Sequence, residues 1–432
     1  MTRIVIAVLL IALAAPVVAN TAAADSTILA IQSMVGELRE KPFLTTVPVR
    51  DQGVEAFGAY LDAELAKQIP DDLAADYDAV VRAVGLYRGP VIDDYRATMK
   101  AVMLSQAAAY YDPATEAFYV VMGDMPDQLF RPVVAHEITH GLQDQYFDLD
   151  AFVLAPSAGG LNDDELNARA AVVEGEATYV MTLFSVYDML GMVPDRALLG
   201  PAVALQAGMS TDQLKQMMAM PQDGVDLGPD MAAALEAMDT IPAFIMETMV
   251  GAYLKGCAFV YDVQGQGWSA VDSLYTHPPV STEQILHPEK YAACEAPSAF
   301  TDVGDAGGLL ADWRLLRANT LGELQWRIVF AEHGQGDIAI PLAEGWDGDR
   351  YAVYERDGAT LLLLATHWDT ENDAADFEAG YHEVLAAKEL PEGVAGLIER
   401  RGRYVGIVEG GNGELAAEAL AYLATTLAKS GK

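Results

Sequence analysis

The stretch that decides the fold is "VVAHEITHGLQDQY", residues 133–146. His136 and His140 are four apart, so on a helix their side chains leave the same face about 6 Å apart. Two imidazoles placed in this way reach one metal ion. Glu137 lies about 100° further round the helix, beside the ligands rather than behind them. A Glu directly after the first His of H-E-x-x-H is placed to take a proton from zinc-bound water. Val133, Val134, Ala135 and Ile138 supply an apolar back face. The helix is therefore expected to be buried, with its histidines turned towards a cleft.

A catalytic zinc takes a third protein ligand. The other histidines are His277, His287, His333, His367 and His382, and "GLQDQYFD" after His140 holds no further histidine. The best candidates are the two acids of "AAVVEGEATYV", Glu174 and Glu176, on a second expected helix. They stand about 200° apart and cannot share a face. Glu174, in the apolar run "RAAVVEG", is the expected ligand, because a carboxylate on a core-facing helix needs a partner. Glu176 is the alternative. Without a metal, Glu174 would pair with Arg169 or Arg131.

Composition narrows the partners. Against 63 acidic residues the chain has 26 Lys and Arg, a formal net charge of -37. Nucleic acid and anionic membrane surfaces are poor matches for such a surface. The first residues, "MTRIVIAVLLIALAAPVVANTAAADS", read as a secretory signal, with an apolar run from Ile4 to Ala15 and cleavage after Ala19 or Ala24. The run is short for a membrane span, so no stable anchor is expected after cleavage, and the location is secreted or periplasmic. Cys257 and Cys294 would then meet an oxidising compartment and could form a disulfide. Otherwise they are small buried apolar residues.

Hydrophobic periodicity outlines an α+β fold that is mostly helical. Residues 26–85 carry helical spacing. "YYDPATEAFYV" reads as a hairpin about "DPAT". Pro132 is placed in the first turn of the H-E-x-x-H helix. A long helix starts after Asn162, with acids at the end that favours them. Residues 200–265 are read as mainly helical, with the Met stripe "LKQMMAM" as core or groove lining. In "PPVSTEQILHPEKY", Ser281 or Thr282 caps a helix. From about residue 300 helices alternate with the strands "YAVYER" and "ATLLLLATHW", which turn at "DG". The expected organisation is a signal at 1–24, a main domain over 25–298 with an N-terminal helical layer, and a small α+β unit over 299–432. In "AEGWDGDR", Arg350 is read as structural first, with substrate contact as the alternative.

Taken together, "HEITHGLQDQYFDL", "YYDPATEAFYV", "AVVEGEATYV", "PPVSTEQILHPEKY" and "AEGWDGDR" resemble the gluzincin clan of zinc metallopeptidases, with its thermolysin-like fold. More closely, they resemble a family of exported bacterial and archaeal proteins with an H-E-x-T-H-x-L-Q-D-Q-x-F-D-L signature. The resemblance implies a zincin-like domain in which His136, His140 and Glu174 bind zinc and Glu137 is the general base. It also implies that an extended peptide or protein substrate lies along an edge strand of the hairpin. One position departs from the pattern. Four residues after the Glu ligand, where an Asp often supports a histidine, this chain has Thr178, and Asp144 is a candidate substitute. A donor to the developing oxyanion is also required. His287 and Tyr291 are the first candidates, with His277 and Tyr179 behind them. The competing expectations are a catalytically inactive peptidase-like protein of the envelope, and a zinc hydrolase acting on a non-peptide amide or ester.

Overall fold

Asn162 shows how local chemistry sets the frame. Its side chain accepts from the Glu165 backbone N–H while the Glu165 carboxylate accepts from the Asn162 N–H, a reciprocal cap that starts the longest helix. That helix runs over Asp163–Leu190 and ends on Gly191 in the left-handed conformation. Ser281 likewise caps Thr282–Leu286 by accepting from Gln284 N–H.

The computed structural model describes residues 21–106, 109–121, 127–154, 160–211, 213, 241–301 and 303–426. The core of the secretory-signal reading and the Met stripe at 214–220 lie outside these residues. In chain order the elements begin with α1 (Thr21–Leu38), β1 (Val49–Asp51), α2 (Val54–Gln68), α3 (Asp71–Ala83) and α4 (Tyr95–Gln106). The hairpin strands β2 (Ala109–Asp112) and β3 (Ala117–Val120) follow, then α5 (Asp127–Phe147), α6 (Asp163–Leu190) and α7 (Arg196–Ala207). Next is α8 (Ala243–Gln264), which contains a π-helical turn at Gly251–Lys255. Short helices α9 (Trp268–Ser273), α10 (Thr282–Leu286) and α11 (Pro288–Ala292) lead to β4 (Arg314–Asn319), α12 (Gly322–Phe330) and α13 (Ala339–Ala343). The chain continues through β5 (Trp346–Arg356), β6 (Ala359–Trp368), α14 (Glu371–Lys388), β7 (Gly396–Arg401), β8 (Tyr404–Glu409) and α15 (Gly413–Leu423). The mostly helical α+β class expected from the sequence is observed.

Two sheets form among the described residues, with strand orders β1-β3-β2 and β4-β5-β6-β8-β7. The hairpin turns where expected, pairing Tyr111 with Phe118 and Asp112 with Ala117. In the larger sheet β6 is central and buried on both faces. Leu362 and Leu364 face one core while Leu361, Leu363 and Ala365 face another, which explains the unbroken apolar run. The turn to β6 uses Asp357 (φ 54) and Gly358 (φ 79), both left-handed as a tight hairpin requires.

Three apolar cores hold these layers. One packs α5, α6 and the second half of α8 with α1 and the hairpin. The largest joins α2, α3, α4 and the first half of α8 to α12, α13, α14 and the inner face of the five-stranded sheet. A third lies between the outer face and α15. The largest core therefore crosses residue 298, and the N-terminal helices pack with the C-terminal strands. Two local expectations change. Pro132 is the sixth residue of α5, one turn deeper than its sequence position suggested. Cys257 is buried and Cys294 exposed, and both are free thiols, so the bridge considered from sequence is not formed.

Candidate metal centre

α5 and α6 pack side by side, and their facing turns bring His136, His140 and Glu174 together. All three are almost fully buried, with relative exposures of 0%, 0% and 2%. Their ligand atoms converge. The two Nε2 atoms are 3.0 Å apart, and Glu174 Oε2 lies 3.2 Å from His136 Nε2 and 3.5 Å from His140 Nε2. Ligands about 2.0–2.1 Å from a tetrahedral ion stand about 3.3 Å from one another. The observed triangle has that size, so the residues fit a metal held by two imidazoles and one carboxylate. Burial pushes the His136 imidazole down to about 4, which keeps it neutral and able to ligate. Burial alone would raise the Glu174 carboxyl, but the two histidines outweigh it and hold it at about 2.

Glu137, the next residue on α5, is also fully buried. Its Oε2 accepts a 2.8 Å bond from the Tyr111 N–H of β2, the outer strand of its sheet. Its Oε1 has no partner among the described residues. Burial raises this carboxyl to about 8, into the range where an acid exchanges protons near neutral pH.

The supporting shell differs from the expectation at two positions. Asp144 does not support His140. Its carboxylate accepts from Tyr111 O–H at 2.8 Å and from Leu149 N–H at 3.0 Å. The neighbour that holds His140 is Gln143, with Oε1 2.7 Å from His140 Nδ1 and Nε2 donating to Val173 O at 2.9 Å. This fixes Nδ1 as the protonated nitrogen and leaves the Nε2 lone pair free to ligate a metal ion. Among the described residues Thr178 Oγ1 is buried without a partner, as is His136 Nδ1, so Thr178 does not orient that ring by a direct bond.

Glu174 and Glu176 separate as their helical angles require. Glu176 is buried on another side, 2.5 Å from Arg39 Nε and 2.6 Å from Tyr275 O–H. The arginines considered as partners for Glu174 are engaged elsewhere, Arg169 with Phe152 O and Arg131 with Asp188. Between the two acids, Gly175 has a steric role. A Cβ there would lie 2.2 Å from the Gly256 carbonyl carbon, so α6 and α8 cross with their backbones in contact. That crossing brings in Tyr253, which sequence reasoning missed. Its ring stacks on His136 with centroids 5.7 Å apart, and its hydroxyl hydrogen-bonds to Glu174. It sits in the π-helical turn of an apolar helix, where spacing points to no one face.

The proposed oxyanion donors have other partners. His287 Nε2 lies 3.0 Å from the buried Glu323 carboxylate. Tyr291 O–H donates to His277 O at 2.8 Å, and Tyr179 O–H donates to Gln264 at 3.4 Å. The long-range partners of these residues lie up to 85 positions away, beyond the reach of motif spacing.

Comparison with known proteins is sparse. A family described as a domain of unknown function (DUF8575) matches residues 313–420, from β4 into α15 and outside the metal centre. No curated protein matches the chain, and no solved structure does.

Proposed function

We propose that the protein is a zinc-dependent peptidase in which His136, His140 and Glu174 hold the metal and Glu137 is the general base. The observation that carries this reading is the ligand triangle of tetrahedral size, with the unpartnered Glu137 Oε1 beside it. Two imidazoles and a carboxylate suit zinc and leave a position open for chemistry. Bound there, zinc would supply Lewis-acid polarisation and lower the pKa of water. Glu137 takes a proton onto Oε1 while Tyr111 N–H steadies Oε2, and it later returns that proton to the leaving amine. Gln143 holds the His140 tautomer. Tyr253, whose O–H now meets Glu174 and whose ring stacks on His136, is the tyrosine donor this geometry offers the developing oxyanion. An extended chain along the outer edge of β2 would run past the base, which favours a peptide over a compact ester.

Ligand burial favours a second reading, a protein that binds metal without turnover. Metal analysis together with peptide-library cleavage separates the two. The peptidase reading expects Glu137→Gln to keep about one zinc per chain and lose about 10²–10⁴-fold in cleavage. Full activity in that variant would remove Glu137 as base. Unchanged zinc in Glu174→Ala would remove the third ligand. Zinc-loaded wild type that cleaves nothing in the library would leave the binding reading.

A further inference from the structure

A second candidate site lies at the N-terminal end of α6, where a cavity of about 550 Å³ opens against the "GWDGDR" turn. Volumes of this order hold small organic ligands. Asp164, Glu165, Phe300, Thr320, Trp346 and Arg350 are among its lining residues. The walls are fixed from behind. Asp349 accepts four bonds, from Leu321 N–H, Gly322 N–H, Trp326 Nε1–H and Trp346 Nε1–H, at 2.8 to 3.1 Å. A Cβ on Gly348 (φ 137) would lie 2.5 Å from Ser298 O, so the 296–300 segment rests directly on the turn. Ser298 Oγ and His367 Nδ1 both lie 2.8 Å from Asp347 Oδ2. Ser298 Oγ also lies 3.1 Å from His367 Nδ1, so serine and aspartate meet the same ring nitrogen rather than opposite ones, and the three residues brace the wall.

Two charged side chains on this wall keep bonding capacity that the fold leaves open. The Arg350 guanidinium forms no ion pair or hydrogen bond among the described residues, although the chain carries 63 acids and three of them line the same cavity. Its guanidinium therefore stands off from those carboxylates. Asp164 is 1% exposed and uses only Oδ1, which accepts from Thr282 N–H at 3.1 Å and Thr282 Oγ1–H at 2.5 Å. Its Oδ2 has no partner among the described residues, and no cation reaches it. Burial pushes this carboxyl well above its ordinary range, the behaviour of an acid that lacks a counter-charge. Phe300 and Trp346 add apolar wall to the same cavity.

A cation and an acid that share one cavity without pairing with each other, beside apolar wall, match a ligand carrying the opposite charges at its two ends. We propose that this cavity binds a small zwitterion of the amino-acid class, a free amino acid or a dipeptide, with its carboxylate on Arg350 and its ammonium on Asp164. The proposal does not rest on the metal centre, since Asp164 precedes Glu174 by ten residues on α6, about 15 Å along the axis.

Calorimetric titration of the full chain, as purified with its metal, tests this. The probes are glycine, L-leucine, L-phenylalanine, L-lysine, L-glutamate and glycyl-L-phenylalanine, with phenethylamine and 3-phenylpropionate as single-charge controls. At least one zwitterion should bind, with the controls about ten-fold weaker or more, and the free amino acids and the dipeptide distinguish the two sources. Arg350→Gln and Asp164→Asn should each weaken binding about ten-fold or more while zinc content stays unchanged. Asparagine preserves an acceptor for Thr282, and Arg350 is only half-buried, so both variants should fold. No binding by any zwitterion, equal binding of the controls, or unchanged affinity in folded Arg350→Gln would each overturn the proposal.

Discussion

His140 illustrates what a single residue needs before it can ligate. Its Nε2 could face a metal only if Nδ1 keeps the proton, and Gln143 Oε1 at 2.7 Å provides for that. Gln143 is itself held by Val173 O on α6, so one amide links the two helices that carry the ligands. Gln143→Leu should lower zinc affinity about 10–100-fold with little change in circular dichroism, measured by competition with a chromophoric chelator. Sequence spacing identified both histidines because i and i+4 positions share a helix face. It pointed to Asp144 as support and passed over Gln143, although positions three and four after His140 both lie near it. The choice was made by Tyr111, whose hydroxyl takes Asp144 away.

Helices α6 and α8 touch through Gly175 and Gly256, and that contact sets where Glu174 and Tyr253 stand. Gly175→Ala would place a methyl group 2.2 Å from the backbone of the other helix and force the pair apart. Overpacking of this kind costs about 1–3 kcal/mol or more. The expected outcome is a lower melting temperature together with weaker zinc binding, while an alanine at exposed Gly191 leaves zinc binding unchanged. The EGEA helix was legible because a carboxylate in an apolar run calls for a partner. The α8 helix was not, because it is apolar around most of its circumference and its π-turn shifts the register.

Across the whole molecule, the N-terminal helices and the C-terminal sheet share one core, and His333 lies at their junction. It donates from Nε2 to Gly85 O at 3.0 Å, and burial, with nearby Lys388, lowers its pKa to about 4. Unfolded, the same imidazole titrates near 6.5, at about its ordinary value. Between those values the unfolded chain binds the extra proton, so this contribution is complete above about pH 6.5 and is lost as pH falls through about 4. His333→Gln should flatten that part of the stability profile in urea titrations, with the wild type losing more stability than the variant from pH 6.5 to 4. The boundary drawn at 298 from sequence marked a change in composition. Composition reports local elements, whereas the shared core arises from pairings between residues hundreds of positions apart.

The burial of His136, His140 and Glu174 also has a kinetic consequence. An ion held by side chains with almost no accessible surface leaves only when the α5–α6 region opens, and such openings occur at their own rate. Loss of zinc to a chelator should therefore be slow and first-order. Its rate should level off as chelator concentration rises, which stopped-flow or discontinuous assays can follow with a metal-sensitive dye. A rate that keeps climbing in proportion to chelator would mean that the ion is reached directly from solvent. Where the rate levels off, brief dialysis against chelator would leave the metal in place, and an apoprotein would have to be made by unfolding and refolding the chain.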